Sequence, residues 1–99
     1  MKTKVNYETV QGKDTGHDIT VYALSTCAFC RRALEYLRDK GIQFQFVYVD
    51  NLDPELKRKL KDELKKKYKN VPVFPVLTID EKQHLSGFRP EEWEEKLFS

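Results

Sequence analysis

The first apolar run in the chain, Ile19-Thr20-Val21-Tyr22-Ala23-Leu24, has no polar face and predicts a central strand covered on both sides. Ala33, Leu34 and Leu37 then recur at helical spacing, so a helix follows and stops before Gly41, a natural C′ residue after Asp39-Lys40. From Ile42 to Val49 the period changes to two. Phe44, Phe46 and Tyr48 fall on one face and Val47 and Val49 on the other, a strand buried on both sides. Strand, helix and strand in sequence make a right-handed crossover with parallel strands. Asp50 to Leu52 end the second strand, and Asp53 as N-cap with Pro54 at the first position opens a second helix with Leu56, Leu60, Leu64 and Tyr68 as its apolar stripe. Asn70 to Pro75 break it. Val76-Leu77-Thr78-Ile79 is a third strand, Asp80-Glu81-Lys82-Gln83 a hairpin turn, and His84-Leu85-Ser86 the returning antiparallel strand. After Gly87-Phe88-Arg89, Pro90 starts a last helix with Glu91, Glu92, Glu94 and Glu95 in its first turns and Trp93 and Leu97 facing inward. The order is βαβ–α–ββ–α: an α/β fold, a four-stranded mixed sheet flanked by three helices on both sides. Residues 1–18 stand apart as an N-terminal extension to a domain of residues 19–99. Within them Val5, Tyr7 and Thr9 alternate with polar neighbours, so the extension is either an extra edge strand or a loose arm.

Ninety-nine residues allow one domain, and a net charge of +2 names no partner by itself. No apolar run reaches the length of a membrane span and no signal-peptide pattern opens the chain, which points to the cytoplasm and to no membrane partner. The second helix is dense in lysine: Lys57, Lys59, Lys61, Lys65, Lys66, Lys67 and Lys69. Such a run is first a solvated face and second a surface for an acidic protein. Nucleic acid is not expected, because no aromatic platform or base-reading motif accompanies the lysines.

Only two cysteines occur, in Cys27-Ala28-Phe29-Cys30, at a strand-to-helix turn. A secreted disulfide scaffold needs more of them, spread along the chain. At a helix N-terminus the unpaired backbone N–H groups and the positive dipole end favour a thiolate on Cys27, and Cys30 lies one turn in, placed to attack a mixed disulfide. This is two-electron dithiol chemistry. The alternatives are a metal half-site, a cluster-carrying site and an inert buried pair. A zinc site needs about four ligands, and His17 (in a turn) and His84 (at a strand start) have no ligand spacing to the motif, so both read as solvated residues and no metal or cofactor is expected. Tyr22 and Trp93 read as packing. Phe29 either lines a substrate surface or fills space.

The element order, with the dithiol at the first strand-to-helix turn, resembles the thioredoxin fold and its glutaredoxin branch over residues 19–98. Thr26-Cys27-Ala28-Phe29-Cys30 is similar to the glutaredoxin Thr-Cys-Pro-Tyr-Cys, with Ala28 in place of proline. Phe74-Pro75 before a strand looks like the family's cis-proline corner, in preference to Pro72. Ser86-Gly87-Phe88-Arg89-Pro90-Glu91 resembles the Ser-Gly-Phe-Arg-Pro-Asp run of the NrdH-redoxins. The resemblance implies catalysis by Cys27 and Cys30 and substrate contact by Thr26, Ala28, Phe29, Phe74, Pro75, Gly87 and Phe88, with the Phe74 backbone pairing to the substrate chain. It also implies a potential of roughly −200 to −270 mV and no metal or other cofactor. As partners it implies a disulfide-containing protein such as ribonucleotide reductase, and thioredoxin reductase or a ferredoxin-linked disulfide reductase as donor to a monomer. Two departures set it apart from glutathione-using glutaredoxins. Leu24 stands where they carry Lys or Arg, and no acid follows Gly87 until Glu91. The reading is therefore a dithiol–disulfide oxidoreductase without dedicated glutathione use. A glutathione-dependent glutaredoxin is the alternative within the same chemistry, and a basic-helix binding module with an incidental cysteine pair is the alternative from another class.

Overall fold

In chain order the elements are β1 (Glu8–Val10), β2 (Ile19–Ala23), α1 (Ala28–Asp39), β3 (Phe44–Tyr48), α2 (Pro54–Tyr68), β4 (Val76–Ile79), β5 (Gln83–Ser86) and α3 (Pro90–Phe98), with a 3₁₀ turn at Val49–Asn51. This computed structural model describes residues 7–68, 73–80 and 82–98. Val5, Lys69, Pro72 and Glu81, which entered the expectations above, lie outside those residues, as does the side chain of Tyr68.

The strands form one sheet in the order β1-β3-β2-β4-β5, with β2 parallel to β3 and every other pair antiparallel. The strand periodicities explain its two faces. Ile19, Val21 and Ala23 of β2, Phe44 and Phe46 of β3, and Leu77 and Ile79 of β4 meet Ala33, Leu34 and Leu37 of α1 and Trp93 of α3 on one side. Tyr22, Val47 and Val76 meet Leu60 and Leu64 of α2 on the other. The thioredoxin-like sandwich expected from the pattern is thus present, with helices on both faces.

Among the described residues the sheet has five strands: Glu8–Val10 of the extension pairs antiparallel with Phe44–Phe46 of β3, so of the two readings of the extension the edge strand is the one that forms. Two details depart from the sequence reading. The second strand is shorter than Ile42–Val49: Ile42 makes only an isolated bridge to Lys13, and Val49 turns into the 3₁₀ segment. The hairpin turn is shorter too, since Gln83 already pairs with Ile79.

The extension is tied on beyond β1. Lys13 N–H donates to the Gly41 carbonyl at 2.8 Å and Gln43 N–H to the Lys13 carbonyl at 2.9 Å. Gly12 permits this approach, because a Cβ there would lie 2.6 Å from the backbone carbonyl carbon of Ile42. His17, read above as merely solvated, keeps much of its surface in water but has a partner. Its Nδ1 lies 2.7 Å from Asp80 Oδ2, while Asp18 N–H donates to Asp80 Oδ1. Among the described residues no helix is long and apolar enough to cross a membrane.

Candidate active site

β2 ends at Ala23, the chain turns through Ser25 and Thr26, and Cys27 is the N-cap of α1. Its sulfur does what a Ser or Asp oxygen does at other helix starts: Sγ accepts the N–H of Cys30 at 3.3 Å. Burial works against a charge on Cys27. Hydrogen bonds from the Cys30 side chain and from the Cys30 and Phe29 backbones outweigh it, and the thiol is held below its usual value.

Cys30 is the opposite case. It is fully buried in the core on the α1 side of the sheet. Burial first and the hydrogen bond with Cys27 second push its thiol up to about 12; the backbone of Leu24 opposes them, and the charges of Cys27 and then Asp50 add smaller upward contributions. Leu24 N–H donates to Cys30 Sγ at 3.4 Å. Both sulfurs are free thiols. The helix start therefore holds one ionisable thiol and one protonated thiol a turn apart.

The loop between β2 and α1 is anchored from β3. Asp50 follows β3 directly after Val49, and β3 runs parallel to β2, so both strands deliver their C-terminal ends to the same edge of the sheet. Asp50 Oδ1 accepts the N–H of Ser25 at 2.9 Å and Oδ2 accepts its hydroxyl at 2.5 Å. These two bonds hold the Asp50 carboxyl below the usual carboxylate range.

Beside the dithiol lies an open groove of about 350 Å³ lined by Phe29, Val73, Phe74, Ser86, Gly87, Phe88 and Arg89. The Phe74–Pro75 peptide bond is cis. Gly87, at φ +80°, donates its N–H to the Val73 and Pro75 carbonyls, and its own carbonyl accepts Trp93 Nε1 at 3.1 Å. Phe88 packs edge-on to both Trp93 and Tyr36. Phe29 and Val73 are each 59% exposed, an apolar pair left in water at the groove.

Of the residues singled out in the sequence, Phe29, Phe74, Gly87 and Phe88 line this groove together. Pro75 is buried behind it, and Thr26 and Ala28 are exposed around Cys27 without lining it. Tyr22 and Trp93 are buried as expected for packing residues. Val73, Arg89, Ser25 and Asp50 were not singled out as site residues. The signal for Asp50 was available: a residue just past the end of a strand parallel to the dithiol strand lies at the dithiol's edge. Among the described residues no three His, Cys, Asp or Glu side chains gather as a metal site requires.

A mixed sheet with a parallel β2–β3 pair, a dithiol at the first strand-to-helix turn and a cis-proline corner that shares a groove with Phe29 of the motif define a thioredoxin-fold protein. The glutaredoxin family model matches residues 19–84, and the chain belongs to the glutaredoxin family. It is 36% identical over 69 residues to a protein of Synechocystis sp. described as a probable glutaredoxin, covering 70% of this chain and 72% of that one. Among solved structures it resembles a glutaredoxin from Methanosarcina mazei Go1 at 31% identity and TM-score 0.81, over 98% of this chain and 92% of that one. It also resembles a methanoredoxin from Methanosarcina acetivorans at 30% identity and TM-score 0.83, over 99% and 100% of the two chains. These likenesses and the paired thiols support thiol–disulfide oxidoreductase chemistry.

Proposed function

We propose that this protein is a dithiol electron carrier that reduces protein disulfides, with Cys27 as the attacking and Cys30 as the resolving thiol. The observation that carries the reading is the unequal setting of the two sulfurs at one helix start: Cys27 caps α1 and accepts the Cys30 N–H at 3.3 Å, which favours its thiolate, while Cys30 is fully buried one turn in, which keeps it protonated. The Cys27 thiolate attacks one sulfur of the partner's disulfide; that bond breaks, and the leaving sulfur departs as a thiolate and takes up a proton. Cys30 loses its proton and attacks Cys27 Sγ. The Cys27–Cys30 disulfide forms, and the partner's second sulfur leaves as a thiol. Two electrons have moved from carrier to partner. A thiolate needs no general base for the first step.

The groove supplies the binding surface. An extended segment of the substrate lies along Phe74, with apolar side chains against Phe29, Val73 and Phe88. The donor is a flavin thioredoxin reductase, as for NrdH-type redoxins, or a ferredoxin-linked disulfide reductase, and a ribonucleotide reductase is the partner to test first in the cytoplasm. Leu24 supports the choice against glutathione. It stands at the position of the glutathione-binding cation and packs its side chain against both cores. One observation favours the glutathione alternative: Arg89 lines the groove and offers a cation of its own.

A coupled NADPH-oxidation assay on a protein disulfide decides between these. Turnover is expected with thioredoxin reductase and not with glutathione and its reductase; turnover through glutathione alone overturns the donor assignment. Cys27→Ser is expected to abolish turnover. Replacing Lys65, Lys66 and Lys67 with Gln leaves it intact if the lysine face of α2 is only a solvated surface, whereas loss of function there with Cys27→Ser active points to the binding module.

A further inference from the structure

We propose that Asp50 is a positioning residue for the dithiol: by clamping Ser25 through both carboxylate oxygens it fixes the turn that carries the two sulfurs. The inference rests on the dithiol reading above.

The clamp reaches both thiols through one residue. Ser25 is held at its N–H and at its hydroxyl by the two oxygens of Asp50. Leu24, its neighbour, donates its N–H to Cys30 Sγ and accepts the N–H of Cys27 at 3.2 Å. A carboxylate that uses both oxygens on one serine fixes that serine's rotation as well as its place, which a single bond cannot do. Holding Ser25 therefore holds the N–H aimed at one sulfur and the backbone that seats the other.

The charge acts with the geometry. Asp50 acts on Cys30 in the same direction as burial, favouring the protonated thiol, and it is not among the groups that shift Cys27. Lys57, on α2, is the cation acting on Asp50, and Ser25 is its hydrogen-bonding partner. The charge of the carboxylate is the smallest of the contributions that favour the protonated Cys30, and it adds to burial and to Cys27. Before Cys27 has reacted, this protects the order of attack. Once Cys27 is in a mixed disulfide, the same charge slows ionisation of Cys30, so the resolving step is the one that responds to Asp50.

The test uses the reduced full-length protein. The pH profile of Cys30 alkylation is measured by mass spectrometry in a Cys27→Ser background at low and high salt, with Asp50 intact and as Asp50→Asn. The expected result is a move of the Cys30 profile to lower pH in Asp50→Asn, on the order of half a unit at low salt and smaller at high salt. An unchanged profile at low salt overturns the electrostatic role. The positioning role is read from Ser25→Ala, which removes one of the two clamp bonds and leaves the charge. It is expected to slow disulfide turnover several-fold and, by loosening the Leu24 N–H aimed at Cys30 Sγ, to move the Cys30 profile to higher pH if it moves at all, opposite to Asp50→Asn; unchanged turnover overturns it. Wild-type turnover is run in parallel. If the wild type is inactive with every donor, the dithiol reading has failed, and the alkylation profiles still decide what Asp50's charge does.

Discussion

Two cysteines three residues apart in one chain have opposite acid–base behaviour because one caps a helix and the other lies inside the core. Cys27 takes a backbone N–H at the helix start, whereas Cys30 loses its water and faces negative neighbours. Alkylation of the reduced protein near neutral pH is accordingly expected to label Cys27 alone, checked by peptide mass spectrometry. Equal labelling of Cys30 would contradict the assignment. The Cys30 shift also has a stability consequence. Its folded value is raised above that of a free thiol, near 9, so its contribution favours the folded state fully below about pH 9 and is lost as pH rises toward about 12. Denaturant midpoints of the reduced protein are expected to fall over that interval, and to fall less steeply in Cys30→Ala, which is less stable throughout. At this scale the dithiol was legible because its spacing and its place after a strand are local facts. Asp50 belongs to no motif, and its place at the dithiol follows only when the parallel pairing of the two strands is combined with the position of the dithiol at the end of one of them.

Most elements were legible for the same reason: their ends are marked by residues with one evident use. Gly41 at φ +71° closes α1, and Pro54 and Pro90 each begin a helix. What was missed lies where a strand's partner, not its own pattern, sets its length. Gln83 joins β5 because Ile79 is there to pair with it, and Ile42 leaves β3 to meet Lys13. The connection from β5 to α3 shows how one residue serves two elements. Gly87 is bonded at its N–H to the Val73 and Pro75 carbonyls and at its carbonyl to Trp93. A Cβ at Gly87 meets nothing within 4 Å, so Gly87→Ala is expected to cost only the left-handed backbone strain, about 1–2 kcal/mol, in urea unfolding. Trp93→Phe keeps most of the ring volume but leaves the Gly87 carbonyl without its donor, for about 1–3 kcal/mol by the same measurement. In both variants the Cys27 alkylation profile is expected to stay in place, since neither residue is among the groups that hold the Cys27 thiol low.

Across the whole molecule the extension closes one side of the sheet. β1 covers β3, Gly12 and Lys13 lie against Gly41–Gln43, and His17 with Asp18 clasps Asp80. Gly12→Ala places a carbon against the Ile42 backbone and must push these segments apart, at roughly 1–3 kcal/mol, read as a lower thermal midpoint. Removing residues 1–16 is expected to expose the long edge of β3 and to produce concentration-dependent aggregation in light scattering. The sequence pattern held both possibilities for the extension, because three alternating residues are too few to choose without the strand that receives them. The groove at the opposite end carries a different consequence. It is open, and its exposed apolar contacts are few, chiefly Phe29 and Val73. In a carrier of the kind proposed, so small a footprint holds a partner only briefly, and the transient sulfur–sulfur bond does the holding instead. Residence time is then set by how fast Cys30 breaks that bond, so the chemistry of turnover and the letting-go of the partner become a single event.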